Sequence, residues 1–297
     1  MYKGVLYMLL SSLCFGFVNL IVKILADQHN IYDSIQNYPE FELVFFRCVV
    51  SLSISITIVR AKKIPFFGNN KKWLLIRGLA GATGLTLFFF TLTHLPMAIA
   101  TVIQYMSPIF TVVFAIYLNK QRVAPIQWLF FLISILGVLV ISLGKGSIDN
   151  FDPIWIILGL TSAVFSGIAY NAIIKCTTTD EPVTVVMYFP LVATPIMLVA
   201  MLIQGYVYPQ GIEWILLLAV GVLTQIAQIS MTRAFNSESA SKVSPVKYFG
   251  AIYAVLIGFF VFDETLSLYA TAGIILVLLG VLLNTFFKSK KPTIKPV

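Results

Sequence analysis

The chain has 297 residues, of which 59% are hydrophobic and only 11% charged, whereas soluble domains carry roughly a quarter charged residues. This excludes a soluble globular protein, and the short polar breaks between apolar runs leave almost nothing for an extramembrane domain. Two histidines (His29, His94) and three cysteines (Cys14, Cys48, Cys176) each stand alone in their stretch, which argues against metal hydrolysis, a disulfide framework and thiol redox chemistry.

Apolar runs of spanning length, bounded by Pro, Gly, Asn and charges, predict helices at about 4 to 26, 41 to 60, 72 to 94, 97 to 118, 125 to 144, 154 to 175, 183 to 204, 212 to 234, 243 to 262 and 267 to 287. The first run follows Lys3, contains Asn19 and Lys23, and lacks a small-residue cleavage site, so it reads as a retained span and not a signal peptide. The connections are short, so the ten spans form one compact bundle without a linker.

An ionisable group in hydrocarbon costs ~2.5 to 3.5 kcal/mol even on the lenient insertion scale, so each polar residue within a span needs a reason. Asn19 in span 1 and Asn171 in span 6 are expected to face a cavity, while Lys23 and Lys175 are expected to snorkel to opposite membrane faces. Arg47 lies ~10 Å below the end of span 2. It either pairs with Glu40 or Glu42 or snorkels, or it anchors a substrate carboxylate or phosphate, which guanidinium binds bidentately. Arg77 and Arg233, near one end of spans 3 and 8, are expected to reach lipid phosphate.

Gln104 in span 4 and Lys247 in span 9 each precede a tyrosine, Tyr105 or Tyr248, and both rings suit stacking on a planar ligand or packing at the interface. Gln225 and Gln228 are three apart in span 8 and therefore share a helix face. Their amides suit either the reading of a polar metabolite or interhelical hydrogen bonding. Pro108, Pro190, Pro195 and Pro245 are expected to interrupt their helices, and Gly137 and Gly280 to permit close helix contact.

With the N-terminus in the cytoplasm the loop charges sort by sign. Lys3, Arg60, Lys62, Lys63, Lys71, Lys72, Lys120, Arg122 and the tail Lys288, Lys290, Lys291 and Lys295 fall inside. Asp27, Asp33, Glu40, Glu42, Asp149, Asp152, Glu213, Asp263 and Glu264 fall outside, with Lys145 the one clearly external basic residue. The positive-inside rule then gives a multi-pass protein of the plasma (inner) membrane with both termini cytoplasmic. The net charge of +8 is thus an orientation signal, and no nucleic-acid partner is expected.

The halves 1–148 and 149–297 match faintly but in order. Asn19 and Lys23 recur as Asn171 and Lys175 at an offset of 152, and Tyr105, Ile109, Val112 and Gly137 recur as Tyr248, Ile252, Val255 and Gly280 at an offset of 143. Trp73 and Trp214 open spans 3 and 8. Because five spans is an odd number, the second copy must enter from the opposite side, giving inverted repeats that can exchange conformations about a central site. The predicted fold is all-α and integral to the membrane, with ten transmembrane helices as two inverted five-helix repeats.

The stretch Arg77-Gly78 with Gly81 and Gly84, followed by Leu95-Pro96-Met97-Ala98-Ile99-Ala100-Thr101 and Tyr105-Met106-Ser107-Pro108, resembles the third and fourth spans of the EamA-type drug/metabolite transporters. Arg233-Ala234-Phe235, Ala240-Ser241, Ser244-Pro245 and Phe262-Asp263-Glu264 stand where that family has similar signatures. Two features depart from the pattern: Ile99 replaces an acidic residue, and Asn119-Lys120-Gln121-Arg122 replaces a Gly-Glu pair. The resemblance implies a permease for small metabolites such as amino acids, vitamins or nucleoside-like compounds. The Pro245–Tyr248 region is similar to the branch that includes S-adenosylmethionine uptake proteins.

Together these readings predict a secondary transporter without a cofactor. Its partners are the lipid bilayer and a small anionic or zwitterionic substrate, and the fold is compatible with a homodimer. Arg47 and Lys247 would take charge, Asn19, Gln104, Asn171, Gln225 and Gln228 polar edges, and Tyr105 and Tyr248 flat faces. The alternatives are a membrane enzyme acting on lipids, disfavoured because the acidic pairs Asp180-Glu181 and Asp263-Glu264 have no histidine near them, and a channel, disfavoured by the repeat.

Overall fold

The computed structural model describes residues 3–26, 35–119, 125–142, 152–176, 179–237 and 244–286. Asp27, Asp33, Lys120, Arg122, Lys145, Asp149 and the tail lysines, on which part of the loop sorting rests, lie outside the described residues. The helices are α1 (Lys3–Leu25), α2 (Glu40–Ala61), α3 (Lys71–His94), α4 (Met97–Gln104), α5 (Ser107–Asn119) and α6 (Pro125–Ser142). They continue with α7 (Pro153–Cys176), α8 (Pro182–Gln204) and α9 (Glu213–Ser237), then α10 (Phe249–Phe262) after a 3-10 turn at Ser244–Tyr248, and α11 (Leu268–Phe286). Among the described residues, seven runs are long and apolar enough to cross a membrane, with α4 and α5 counted as one, and three shorter apolar helices cover 125–141, 246–262 and 268–283.

The helices bury polar residues and expose apolar ones. On α1 the large side chains Leu6, Leu10, Leu13 and Phe17 point outward at helical spacing, while Ser11, Ser12 and Asn19 are buried. Such a distribution costs nothing when the surroundings are hydrocarbon, and the inward polar groups then have each other as partners. The protein is a multi-pass membrane protein.

Packing is pairwise across the chain: α3 lies on α7, α1 on α9, α2 on α8 and α6 on α11, with α5 also against α7. Between α6 and α11 the backbones nearly touch. A Cβ on Gly137 would stand 2.7 Å from the Val277 amide nitrogen and one on Gly280 would stand 2.6 Å from the Phe130 carbonyl oxygen, so only glycine permits this approach.

The prolines expected to interrupt helices do so in spans 4 and 9 but not in α8. Span 4 is two helices, broken at Tyr105–Met106, where the Tyr105 and Met106 amides bond back to the carbonyls of Val102 and Ile103 at 3.1 and 3.0 Å in a tightened turn. Pro108 explains the break, since it has no N–H to give the Gln104 carbonyl and its ring disfavours helix at the residue before it. Span 9 likewise opens in the 3-10 turn containing Pro245. By contrast α8 runs unbroken through Pro190 and Pro195, and the Thr194 hydroxyl donates to the Pro190 carbonyl at 2.7 Å.

Candidate functional site

The breaks in spans 4 and 9 meet at the centre of the bundle. Tyr105 and Tyr248 pack edge to face with their ring centroids 5.3 Å apart. The Tyr105 hydroxyl reaches Gly250, where a Cβ would stand 2.0 Å from its oxygen, so the glycine is what lets α4 and α10 close on each other. Around this crossing is a cavity of about 140 Å³. Ser12 and Asn19 of α1, Arg47 of α2, Arg77 of α3, Gln104 and Tyr105, Tyr170 of α7, Gln228 of α9 and Lys247 contribute to its wall.

Six of the nine residues expected at a binding site therefore share one cavity: Asn19, Arg47, Gln104, Tyr105, Gln228 and Lys247. The other three do not line it. Tyr248 stands behind Tyr105. Asn171 donates to the carbonyls of Thr111 on α5 and Gly167 on its own helix, at 2.9 and 3.0 Å. Gln225 bonds Ser51 and Ser55 of α2 and so joins two helices.

Arg47 is 3% exposed, its guanidinium lies 5.3 Å from the centre of the Phe89 ring, and its Nε has no hydrogen-bond partner among the described residues. The carboxylates expected to pair with it are used elsewhere: Glu42 accepts the Val207 amide at 2.9 Å and Glu40 accepts the Thr93 hydroxyl at 2.8 Å. Lys247 donates to the Tyr170 hydroxyl at 2.9 Å, and its ammonium stands 4.1 Å from that ring's centre. Gln104 is tied at both ends of its amide, donating to Ser166 at 2.8 Å and accepting from Ser162 at 2.9 Å.

Two expectations are overturned. Arg77 does not reach toward lipid phosphate: it is 4% exposed, and its guanidinium lies over Gly81, one turn further along α3, within 2.1 Å of where a Cβ would stand. A side chain running toward the helix C-terminus goes against the usual direction and carries the charge deeper into the bundle, where Nη2 donates to Gln228 at 3.1 Å. Lys23 does not snorkel either. It forms an ion pair with Glu264 and donates to the Leu95 carbonyl at 3.0 Å.

Arg77 and Tyr170 are among the wall residues that sequence reasoning missed. The glycine four residues after Arg77 was the available signal, because it clears the space the guanidinium occupies. Tyr170 stands next to Asn171, and nothing in the local pattern marks which of the two faces inward.

At the end of the bundle that holds Glu40, Glu42, Glu213 and Glu264, the carboxylates close on donors. Glu213 accepts the Gln36 and Gln210 amides at 2.6 and 2.7 Å and the Tyr38 hydroxyl at 2.7 Å. Burial, then the Glu213 carboxylate, push the Tyr38 phenol above the usual tyrosine range, so it stays a donor. Glu264 accepts the Met97 amide at 2.9 Å as well as Lys23.

A buried polar cavity walled by both halves of a helical membrane bundle, with ionic groups among its lining, suits a transporter. The chain is a member of the EamA-like transporter family, which matches it twice, over residues 2–143 and 153–286. The pseudopaline exporter CntI of Pseudomonas aeruginosa is 30% identical to it over 280 residues, covering 94% of each chain. An S-adenosylmethionine uptake transporter of Rickettsia prowazekii is 22% identical over 292 residues, covering 96% of each. One solved structure shares the fold, with a TM-score of 0.66 and 18% identity over 95% of this chain and 96% of that one. The protein is a transporter and not an enzyme.

Proposed function

We propose that the protein moves a small polar metabolite, anionic or zwitterionic, across the plasma membrane by alternating access, with the central cavity as the substrate site. The amino acids, vitamins and nucleoside-like compounds are the classes that fit. The observation that carries this reading is the cavity itself, which gathers Arg47, Lys247, Gln228, Asn19 and Tyr105 from both halves of the chain. The two relatives are named for different compounds and for opposite directions, so the substrate reading rests on the chemistry of this site.

Several observations support two inverted five-helix repeats, residues 1–148 and 149–297, within ten spans. The family matches once in each half. The principal packing is preserved when every span is exchanged for the one five later: α3 on α7 becomes α9 on α1, α2 on α9 becomes α8 on α3, and α2 with α8 and α6 with α11 pair counterparts. A rearrangement in one half then has a mirror in the other, which is the geometric requirement for opening a central site to either side in turn.

Counterflow in proteoliposomes tests the carrier: substrate inside should accelerate uptake of labelled substrate, a stimulation that a channel does not show. Orientation is tested by single cysteines in a cysteine-free variant. Those at positions 33 and 149 should label from outside and those at 63 and 290 should not; external labelling at 63 overturns the topology.

A further inference from the structure

We propose that the cavity selects metabolites carrying two or more negative charges, held jointly by Arg47, Arg77 and Lys247. The inference rests on the reading of this cavity as the substrate site and narrows it from anionic or zwitterionic to polyanionic.

Three cations and no carboxylate occur among the residues lining the cavity. Uncompensated charge buried in low dielectric is costly, and proteins ordinarily pair it with an opposite charge. Here the compensation is neutral: Phe89 beneath Arg47, Phe189 and Gln228 against Arg77, Tyr170 against Lys247. Rings and amide dipoles weaken the charge without cancelling it. Arg47, Arg77 and Lys247 line the same cavity, so one monoanion would leave two buried like charges without a counter-ion.

The donors point to the same ligand. Both arginines are more than nine-tenths buried, and in each the Nε–H is unpartnered among the described residues. Nε with the neighbouring Nη forms the edge that grips a carboxylate or phosphate through two parallel hydrogen bonds. Neutral recognition is reduced in turn, because the Gln104 amide is already occupied at both ends by Ser162 and Ser166. The cavity's 140 Å³ holds about five waters at ~30 Å³ each, the size of a small, compact compound with acidic groups close together.

The test uses the full-length protein in nanodiscs, titrated at constant ionic strength with acetate, succinate and citrate, with phosphate and pyrophosphate, with glutamine and with S-adenosylmethionine, whose sulfonium adds positive charge. Binding is read by calorimetry and thermal shift. Affinity should rise about tenfold with each added carboxylate, and pyrophosphate should exceed phosphate if the site accepts phosphoryl groups. Glutamine and S-adenosylmethionine should bind weakly. The gradation should collapse in the Arg47→Gln, Arg77→Gln double variant; if that variant does not fold, Lys247→Gln alone should flatten it.

Equal or absent binding across the carboxylate series overturns the proposal, as does a gradation that persists in the variant, which marks a general salt effect. Counterflow separates this result from the carrier reading. Charge-graded binding without counterflow of the bound compound leaves the polyanion site standing and removes the carrier. Counterflow of glutamine without binding of the polyanions leaves the carrier and removes the polyanion site.

Discussion

The acidic end of the bundle and its central cavity treat charge in opposite ways. At the acidic end the buried glutamates meet donors: Glu264 meets Lys23 and an amide, Glu213 meets two amides and a phenol, and Glu42 meets the Val207 amide. In the cavity, Arg47, Arg77 and Lys247 meet, among the described residues, rings, an amide oxygen and a phenol. Most of the bonds at the acidic end also join the first half of the chain to the second; Glu213 with Gln210 and Glu40 with Thr93 stay within one half. Charge that is satisfied internally serves to hold the halves together at that end, and charge that is left over serves to receive something from outside. The two regions therefore differ in what removal of a charge should do to stability, and the sign of that change is the sharpest way to break the comparison.

The largest effect is expected at Arg47. Arg47→Met removes a buried cation whose Nε has no hydrogen-bond partner among the described residues and substitutes an apolar chain of similar length. It should lower transport about a hundredfold, the worth of a lost charge-assisted pair of hydrogen bonds to substrate. The same variant should raise the thermal midpoint in detergent, because an apolar replacement relieves the desolvation cost. A fall in midpoint with transport retained would make Arg47 a structural residue and the comparison false.

A smaller effect of opposite sign is expected at the acidic end. Glu264→Gln leaves Lys23 without its counter-charge, and the loss should be about 2 kcal/mol, below the figure for a fully buried pair because both side chains keep some exposure. The double variant Lys23→Met, Glu264→Gln should recover part of that stability, since the remaining cation goes with its partner. Chemical denaturation of the four proteins in one double-mutant cycle measures the coupling directly. A coupling indistinguishable from zero would mean that the pair does not fasten this end.

Much of the fold was legible in the sequence because the bilayer sets a length and a polarity that each span must meet, and the ends of the observed helices fall within a few residues of the apolar runs. What escaped was set by three-dimensional neighbours. Pro108 and Pro245 stand at breaks in their spans whereas α8 runs through Pro190 and Pro195, so the presence of proline alone does not decide the outcome. Depth along a span separated Arg47 from the interface correctly, yet the same measure put Arg77 at the surface, because depth counts residues and ignores where the side chain turns. Six of the expected site residues line one cavity, whereas Asn171 and Gln225 have the same residue types and comparable depth but face neighbouring helices. A helix with buried polar groups on several sides offers no pattern by which its ligand-facing side can be told from its partner-facing side.

Gln225 makes that distinction measurable, and it carries the smallest expected effect. It sits on the same helix as Gln228, three residues away, but its amide donates to Ser55 at 2.8 Å and accepts from Ser51, so both of its functions are spent on α2. A hydrogen bond between spans is worth about 0.6 kcal/mol on average, because the unfolded chain in the membrane also finds partners. Gln225→Leu should therefore destabilise the protein by about that amount per bond lost and leave substrate affinity and counterflow unchanged. Gln228→Leu removes instead the acceptor of Arg77 Nη2, so it should alter substrate affinity and also cost ~1–3 kcal/mol, because a buried charged donor loses its partner. Transport that fell with Gln225 and not with Gln228 would reverse the two faces of α9 and place the ligand against α2.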